Sequence, residues 1–371
     1  MCIRDSWNSD VYEYDRTRYD YNWATPFFGI SYNRFNGASL TLSSGFTRQK
    51  YGKEEYSSRH SIRGSVSTQR NTSLNYTARF HQVLKKWDIP FEVDFASPEF
   101  RNNFYGVGNN TILDDDLEQD DFYRFERNSF SVQTGIGKEF WKNSSLDFLV
   151  GYARSSFDVP ENTILEGDTT LFGANTTLGE IPFNAKAIID FRDQAGLPYN
   201  GIMWTLDYQL GAIIEGTPET STYGVAQSAI EYFISTQKKN PLTLGLRFGG
   251  AVTHGDVPFY HLPNIGQRTG LRGFFGERFT GNSSMYFNSE IRWQLLQKTT
   301  SVVPIKFGLK VFYDTGRVDL GADDVDGTNW HAGYGFGVFL VPLTEAINIS
   351  FSVAFSEEES FFPVLTFGRA L

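Results

Sequence analysis

The chain has little of what would mark an ordinary soluble globule or an enzyme. Its one cysteine, Cys2, excludes an intrachain disulfide framework and leaves the redox compartment unmarked. Nowhere do 18 or more apolar residues run together, which excludes a spanning helix, and the i, i+3, i+4 spacing of amphipathic helices is nearly absent. Lysine and arginine number 33 against 43 aspartates and glutamates, a net charge of −10, and phosphate binding needs the opposite balance. Nucleic acid is therefore not an expected partner. The five histidines, His60, His81, His254, His261 and His331, show no metal-ligand spacing, and neither a G-x-S-x-G nor a P-loop motif occurs. His254, Asp256 and His261 share one segment but make a poor ligand set. Asp323-Asp324-Val325-Asp326-Gly327 has part of a calcium loop without its distal glutamate and reads as an acidic loop. No catalytic residue, cofactor or metal is expected.

What is present is aromatic and glycine-rich: 34 Phe, 19 Tyr and 35 Gly, with a negative mean hydropathy. A two-residue period runs from end to end. Met285, Phe287, Ile291, Trp293 and Leu295 fall on one parity; Tyr286, Asn288, Glu290, Arg292 and Gln294 fall on the other. A strand sends successive side chains to opposite faces, so this one has an apolar face and a polar one. Ile305, Phe307, Leu309, Val311 and Tyr313 alternate in the same way with Lys306, Gly308, Lys310, Phe312 and Asp314. A soluble sandwich also alternates, but its exposed faces would be richer in Lys and Glu.

Sixteen such segments are expected, near 22–33, 37–48, 58–69, 72–84, 86–96, 121–140, 143–155, 183–193, 199–212, 222–235, 240–253, 283–297, 302–315, 331–342, 346–356 and 361–371. Short links alternate with long ones at 97–120, 156–182, 254–282 and 316–330, and only the 49–57 link breaks the trend. The fold class is thus all-β, a transmembrane antiparallel barrel of about sixteen strands. So many strands enclose a lumen wider than wall side chains fill, so something plugs it or it is a pore.

The loop after the 240–253 segment is the candidate plug. It holds Gly266, Gly270, Gly273, Gly276 and Gly281 with Arg268, Arg272 and Arg278, and that much glycine suits a backbone folded closely against a wall. A guanidinium carried into a lumen needs a carboxylate. Asp314 and Glu290, both on inner parities, are the competing acceptors for Arg272, which spacing alone leaves equally readable as an exposed loop arginine.

These residues resemble a known family. Leu271-Arg272-Gly273-Phe274 is similar to the V/L-R-G-F/Y motif of the BamA and TamA superfamily of outer-membrane barrels, the bacterial surface antigen type, and Phe312 to Gly316 matches its F-x-D-x-G strand. Gly281-Asn282 with Asn288-Ser289-Glu290-Ile291-Arg292 resembles its G-N...N-x-E-h-R pattern, and Asp190-Phe191-Arg192-Asp193 with Pro198 and Gly201 its D-x-R-D...P...G segment. Asn103 to Asn109 resembles a stretch common in Bacteroidetes-like members. The resemblance covers about residues 100–371. It implies a sixteen-stranded barrel whose inward loop is latched by Arg272 to Asp314, a location in the bacterial outer membrane, and a role in inserting or translocating proteins. Implied partners are membrane lipid and lipopolysaccharide, unfolded outer-membrane clients and periplasmic accessory proteins.

The start of the chain departs from this pattern. Met1 to Ser6 lacks the features of a secretory signal, the sequence as it stands has no room for the family's periplasmic POTRA domains, and it ends on Leu371 where the family usually has an aromatic, so a signal and further domains are expected to be missing upstream. Residues 1–20 are expected to be disordered or non-native and 21–371 to be the barrel. Other readings stay open: a membrane anchor or export barrel for a missing N-terminal domain such as a phosphoesterase, or a passive pore.

Overall fold

The computed structural model describes residues 23–33, 37–50, 56–98, 102–114, 116–117, 122–141, 143–158, 162–166, 176–216, 220–236, 240–267, 269–298, 305–319, 329–342 and 349–367. The expected 1–20 segment, Arg268, most of the acidic run 115–121, the run Asp323, Asp324 and Asp326, and the terminal residues Gly368–Leu371 lie outside them.

Nearly all of what is described is strand. In order these are β1 (Trp23–Asn33), β2 (Gly37–Arg48), β3 (Ser58–Ser67), β4 (Thr72–Leu84), β5 (Trp87–Ala96), β6 (Asn102–Asn103), β7 (Arg124–Phe140), β8 (Ser144–Asp158), β9 (Leu178–Asp190) and β10 (Gly201–Glu215). They continue as β11 (Ser221–Ser235), β12 (Leu242–Gly255), β13 (Asn264–Ile265), β14 (Phe279–Thr280), β15 (Ser283–Lys298), β16 (Ile305–Asp319), β17 (His331–Pro342), β18 (Ile349–Ser356) and β19 (Phe362–Phe367). Leaving aside the two-residue strands β6, β13 and β14, sixteen strands each pair antiparallel with the next in one meander. Among the described residues β1 pairs only with β2, and β19 only with β18. The architecture is barrel-type.

The alternation builds two unlike faces. On β16, Leu309, Val311 and Tyr313 are 42–50% exposed while Lys310, Phe312 and Asp314 between them are buried. Charge on the buried face and hydrocarbon on the exposed one inverts the pattern of a soluble protein.

Each wall strand coincides with one of the sixteen expected segments, and the departures have local causes. β9 begins at Leu178 rather than near 183, because Leu178 to Glu180 go on pairing with β8. Leu178 there points inward against Ile213, Tyr223 and Val225. An inward apolar residue breaks the alternation, and it is tolerated because loop residues Val257 and Tyr260 cover it. On β15 the register with β16 slips between Gln294 and Leu296, so Leu296 rather than Leu295 takes the exposed position.

The sheet has a turn end and a loop end. The links 85–86, 141–143, 191–200 and 236–241 lie at the first, with the 49–57 link that looked out of step. The links 97–123, 216–220 and 256–282 lie at the second. Segments from both ends fold over the inner face and tie distant strands together, and they make the candidate site.

Candidate functional site

The loop from Asp256 to Asn282 is folded by its own small core. β13 and β14 pair Asn264 with Thr280 and Ile265 with Phe279, closing a narrow ribbon. Ile265, Leu271, Phe274 and Phe279 pack with Val318 of β16, all at most 1% exposed. Burying each such side chain contributes about 2 kcal/mol, so this loop has a fixed shape. At its tip Gly270 and Gly273 take positive φ of 101° and 99°, which a side chain would strain. Gly270 also lies under the Tyr286 ring, where a Cβ would come within 2.6 Å.

The tip between these glycines lies on a ledge formed by one row of residues across four strands. Register places Asn288 of β15 beside Asp314 of β16, Asp314 beside Gly333 of β17, and Gly333 beside Ser356 of β18. Each member meets the loop. The Asn288 amide donates to the Gly270 carbonyl (2.6 Å), and the Ser356 hydroxyl donates to the Gly273 carbonyl (2.7 Å). Gly333 leaves room for the Arg272 carbonyl, which a Cβ would strike. Asp314 receives the guanidinium as a fork, Nε to Oδ2 at 2.6 Å and Nη2 to Oδ1 at 2.8 Å, and also the Arg272 backbone N–H at 3.1 Å.

Asp314 and Glu290 do not compete; both bind Arg272. Its Nη1 donates to Glu290 Oε2 at 2.7 Å, and its guanidinium carbon stands 3.8 Å over the Phe312 ring. Burial alone would weaken the charge on Arg272, but the carboxylates of Asp314 and then Glu290 more than offset it and hold its pKa above the ordinary arginine value. Glu290 also faces Lys310 (3.6 Å) and Arg292 (3.9 Å), so one buried carboxylate serves three cations. Leu271 and Phe274 anchor the loop core, Gly273 makes the turn, and Gly316 on β16 lies beside Ile265.

Arg278, named in the sequence only as a loop arginine, is a second fastening. It is fully buried and donates to both oxygens of Glu358 in the β18–β19 link (2.8 and 2.6 Å) and to the Thr111 hydroxyl and carbonyl (2.7 and 2.6 Å). The segment 102–114, which enters after β5, thereby crosses the loop end to the far strands. Asn109 continues the crossing: its side chain accepts from Val318 N–H (2.9 Å) and its carbonyl contacts His331 Nε2 (2.8 Å). The Asn103 to Asn109 resemblance was legible, but pairing Thr111 with a residue 167 positions away was not.

A second segment closes in from the turn end. After β9 the chain doubles back through Asp190, whose carboxylate takes Arg192 Nε and Nη2 at 2.9 and 2.8 Å, while Arg192 Nη1 reaches Glu231 at 3.2 Å. The Asp190 pair, followed by other nearby carboxylates, outweighs the burial that opposes the Arg192 charge, so its pKa is raised. Gly201, at φ +121°, lets β10 start against the backbone of Phe191 and Arg192. The tip between them reaches across to β15 and β17. Arg292 Nη2 donates to the Pro198 carbonyl (2.6 Å), Tyr199 donates to Gln294 (2.5 Å), and Leu197 packs with Phe339 and Val341. Loop and turn are thus joined through β15 along Arg272, Glu290, Arg292 and Pro198.

The remaining candidates do not assemble. His254 faces the exposed side beside Tyr208 (3.2 Å), whereas His261 faces inward to Glu180 (3.2 Å), so the His254, Asp256, His261 set is not gathered on one ion. Among the described residues His81, Asp88 and Glu139 bring ligand atoms within 4.8 Å of one another. Arg79 already stands among them, 3.1 Å from Asp88, 3.5 Å from Glu139 and 2.6 Å from Asp147, so a guanidinium occupies the place a cation would take. No sequence spacing announced that cluster.

Residues 57–360 match the family model described as the Omp85 superfamily domain. Among solved structures, the chain is similar to BamA from Haemophilus ducreyi lacking POTRA domains 1-3, with 14% identity and a TM-score of 0.63, covering 94% of this chain and 70% of that one. It is similar to CdiB from Escherichia coli (11%, TM-score 0.56) and CdiB from Acinetobacter baumannii (13%, TM-score 0.59), covering 93% of this chain in each case. It spans 61% and 59% of those two chains, and identities this low show the fold alone. Among curated proteins no sequence match is found.

Proposed function

The chain belongs to the Omp85 superfamily, and from that premise we propose that it is a closed, membrane-spanning barrel of the BamA and TamA type that inserts or translocates other proteins at the bacterial outer membrane. The family is one of non-catalytic proteins of the outer membrane. Its surroundings are membrane lipid and lipopolysaccharide, and its partners are unfolded outer-membrane clients and periplasmic accessory proteins.

The observation that carries the reading is the docked loop. A passive pore keeps its lumen free, whereas here a loop with its own core is held to the inner wall by a guanidinium shared between two buried carboxylates. We take Arg272, Asp314 and Glu290 as the latch, Leu271, Gly273 and Phe274 as the loop that it holds, and Phe312 and Gly316 as the strand that receives it. In this reading the seam between the first and last strands is where a client would add, since an underpaired strand edge is a template for an incoming strand.

Two measurements test this. In planar bilayers the wild type should give small, unstable currents that Arg272→Ala enlarges; large steady currents unaffected by that change would favour a pore. Depletion in the source bacterium should lower the census of other outer-membrane proteins, and an unchanged census would refute the insertion role.

A further inference from the structure

The outer surface near the turn end carries a feature that the latch does not use. Where the exposed apolar belt of β2 to β8 stops, an aromatic fringe begins: Leu84 and Trp87 pair across the β4–β5 hairpin, and Trp141 lies 5.3 Å from Phe140 and 5.7 Å from Phe191. Beyond it stand five exposed cations, Arg48, Lys50, Lys85, Lys86 and Lys138. They are close in the fold. Lys85 and Lys86 form the β4–β5 turn, and the pairing of Asp88 with Gly137 sets Trp87 beside Lys138 on the same face. Arg48 shares the outer parity of Leu42 and Phe46 two strands away.

None of the five makes a side-chain hydrogen bond or ion pair with the described residues. The acids of the same strands are turned the other way: Asp88, Glu139 and Asp147 gather on Arg79 inside. Among the described residues of this arc and its links, the exposed acids Asp94, Asp114, Asp116 and Glu166 lie toward the opposite, loop end. Among the described residues of the opposite arc, β15 to β19, the turn-end rim offers Lys298 alone as an exposed cation. Indole rings at an apolar boundary with lysines just beyond them match a layer of hydrocarbon topped by anionic headgroups.

We propose that the rim formed by Arg48, Lys50, Lys85, Lys86 and Lys138, with Trp87 and Trp141, is a docking surface for anionic phospholipids in the leaflet at the turn end. This rests on the sheet spanning a membrane, as proposed above. Lipid held on this arc would orient and steady β2 to β8.

The test is lipid retention. The full chain is reconstituted into vesicles of equimolar phosphatidylglycerol and phosphatidylcholine, extracted in mild detergent, and its bound lipid counted by native mass spectrometry. Phosphatidylglycerol should be enriched about five-fold for each lysine engaged, the enrichment should shrink in 0.5 M salt, and Lys85→Gln/Lys86→Gln/Lys138→Gln should return it to the bulk ratio. Lys298→Gln should leave it unchanged. Retention at the bulk ratio in the wild type, or undiminished enrichment in a triple variant that keeps its heat-modifiable gel mobility, overturns the proposal. Preference for lipid A over phosphatidylglycerol in a competing mixture overturns the choice of leaflet lipid. Failure of the wild type to enter vesicles at all sinks the membrane reading, which separates that failure from this one.

Discussion

Two stretches of one inner wall are built on opposite terms. Along β15 and β16 the inward side chains Asn288, Glu290, Arg292, Lys310, Phe312 and Asp314 are large or charged, and all are buried under the loop and the turn. Midway along β2 to β4 the inward positions Thr41, Ser43, Ser61, Arg63, Ser65 and Thr77 are half-buried or exposed, with small contacts such as the 3.0 Å hydroxyl pair of Thr41 and Ser65, and the Arg79 cluster lies nearer the turn end. Outside, both walls show the same apolar alternation. The strand period therefore sets the outer face, whereas the inner face depends on what the chain folds against it.

That contrast yields predictions whose size should follow burial. The largest effect belongs to Arg272→Ala, which strands Asp314 at 0% side-chain exposure and takes from Glu290, at 1%, the nearest of its three cations. Breaking a buried pair of this kind costs about 3–5 kcal/mol, read as a fall in the urea midpoint of refolded protein and as protease cleavage within 256–282. A midpoint within error of wild type would remove the idea that the covered wall depends on this latch. Glu290→Gln keeps the shape and takes away the charge shared by Arg272, Arg292 and Lys310, at a cost of about 2–3 kcal/mol. Since three cations then face one another, added chloride should recover part of the loss, and an absence of any salt effect would count against the shared-carboxylate picture.

How much of this was legible follows the same division. A period of two is a local property, so the sixteen strands could be counted from the sequence, and the misjudged edge at Leu178 came where loop residues cover the wall and suspend the rule. The motif residues Arg272, Asp314 and Glu290 were visible as types that need partners. What the spacing left open was whether Asp314 or Glu290 takes the guanidinium, and the fold answers that register brings both within reach. Arg278 with Glu358 and Thr111, the Pro198 carbonyl on Arg292, and the Arg79 cluster were not legible. The first two join segments far apart along the sheet, and the third rests on the register of β4, β5, β7 and β8; no local pattern records either.

The joined segments make the next prediction. Arg292→Ala removes the donor to the Pro198 carbonyl and one partner of Glu290 while leaving the Arg272 contacts in place. The expected loss is about 1–3 kcal/mol, concentrated at the turn end. Hydrogen exchange should quicken at Gly196 to Asn200 more than at Gly270 to Phe274. Equal quickening at both would mean that loop and turn move as one body.

The smallest effect is expected on the uncovered wall. Arg63 points inward from β3, is exposed, and makes no ion pair among the described residues. Arg63→Glu should therefore move the urea midpoint by no more than about 0.5 kcal/mol equivalent, the range of ordinary surface changes. In the proposed barrel, a solvated charge beside a partly open lumen would still act on passing ions, because attraction between charges extends over about 8–10 Å in physiological salt. The residual current should shift toward cations, measured as a change in reversal potential under a salt gradient. If the midpoint falls as far as in Arg272→Ala, the β2 to β4 wall is covered as closely as the other, and the contrast between the two walls disappears. If neither midpoint nor reversal potential moves, the lumen on this side conducts nothing, and the latch is not the element that keeps the barrel shut.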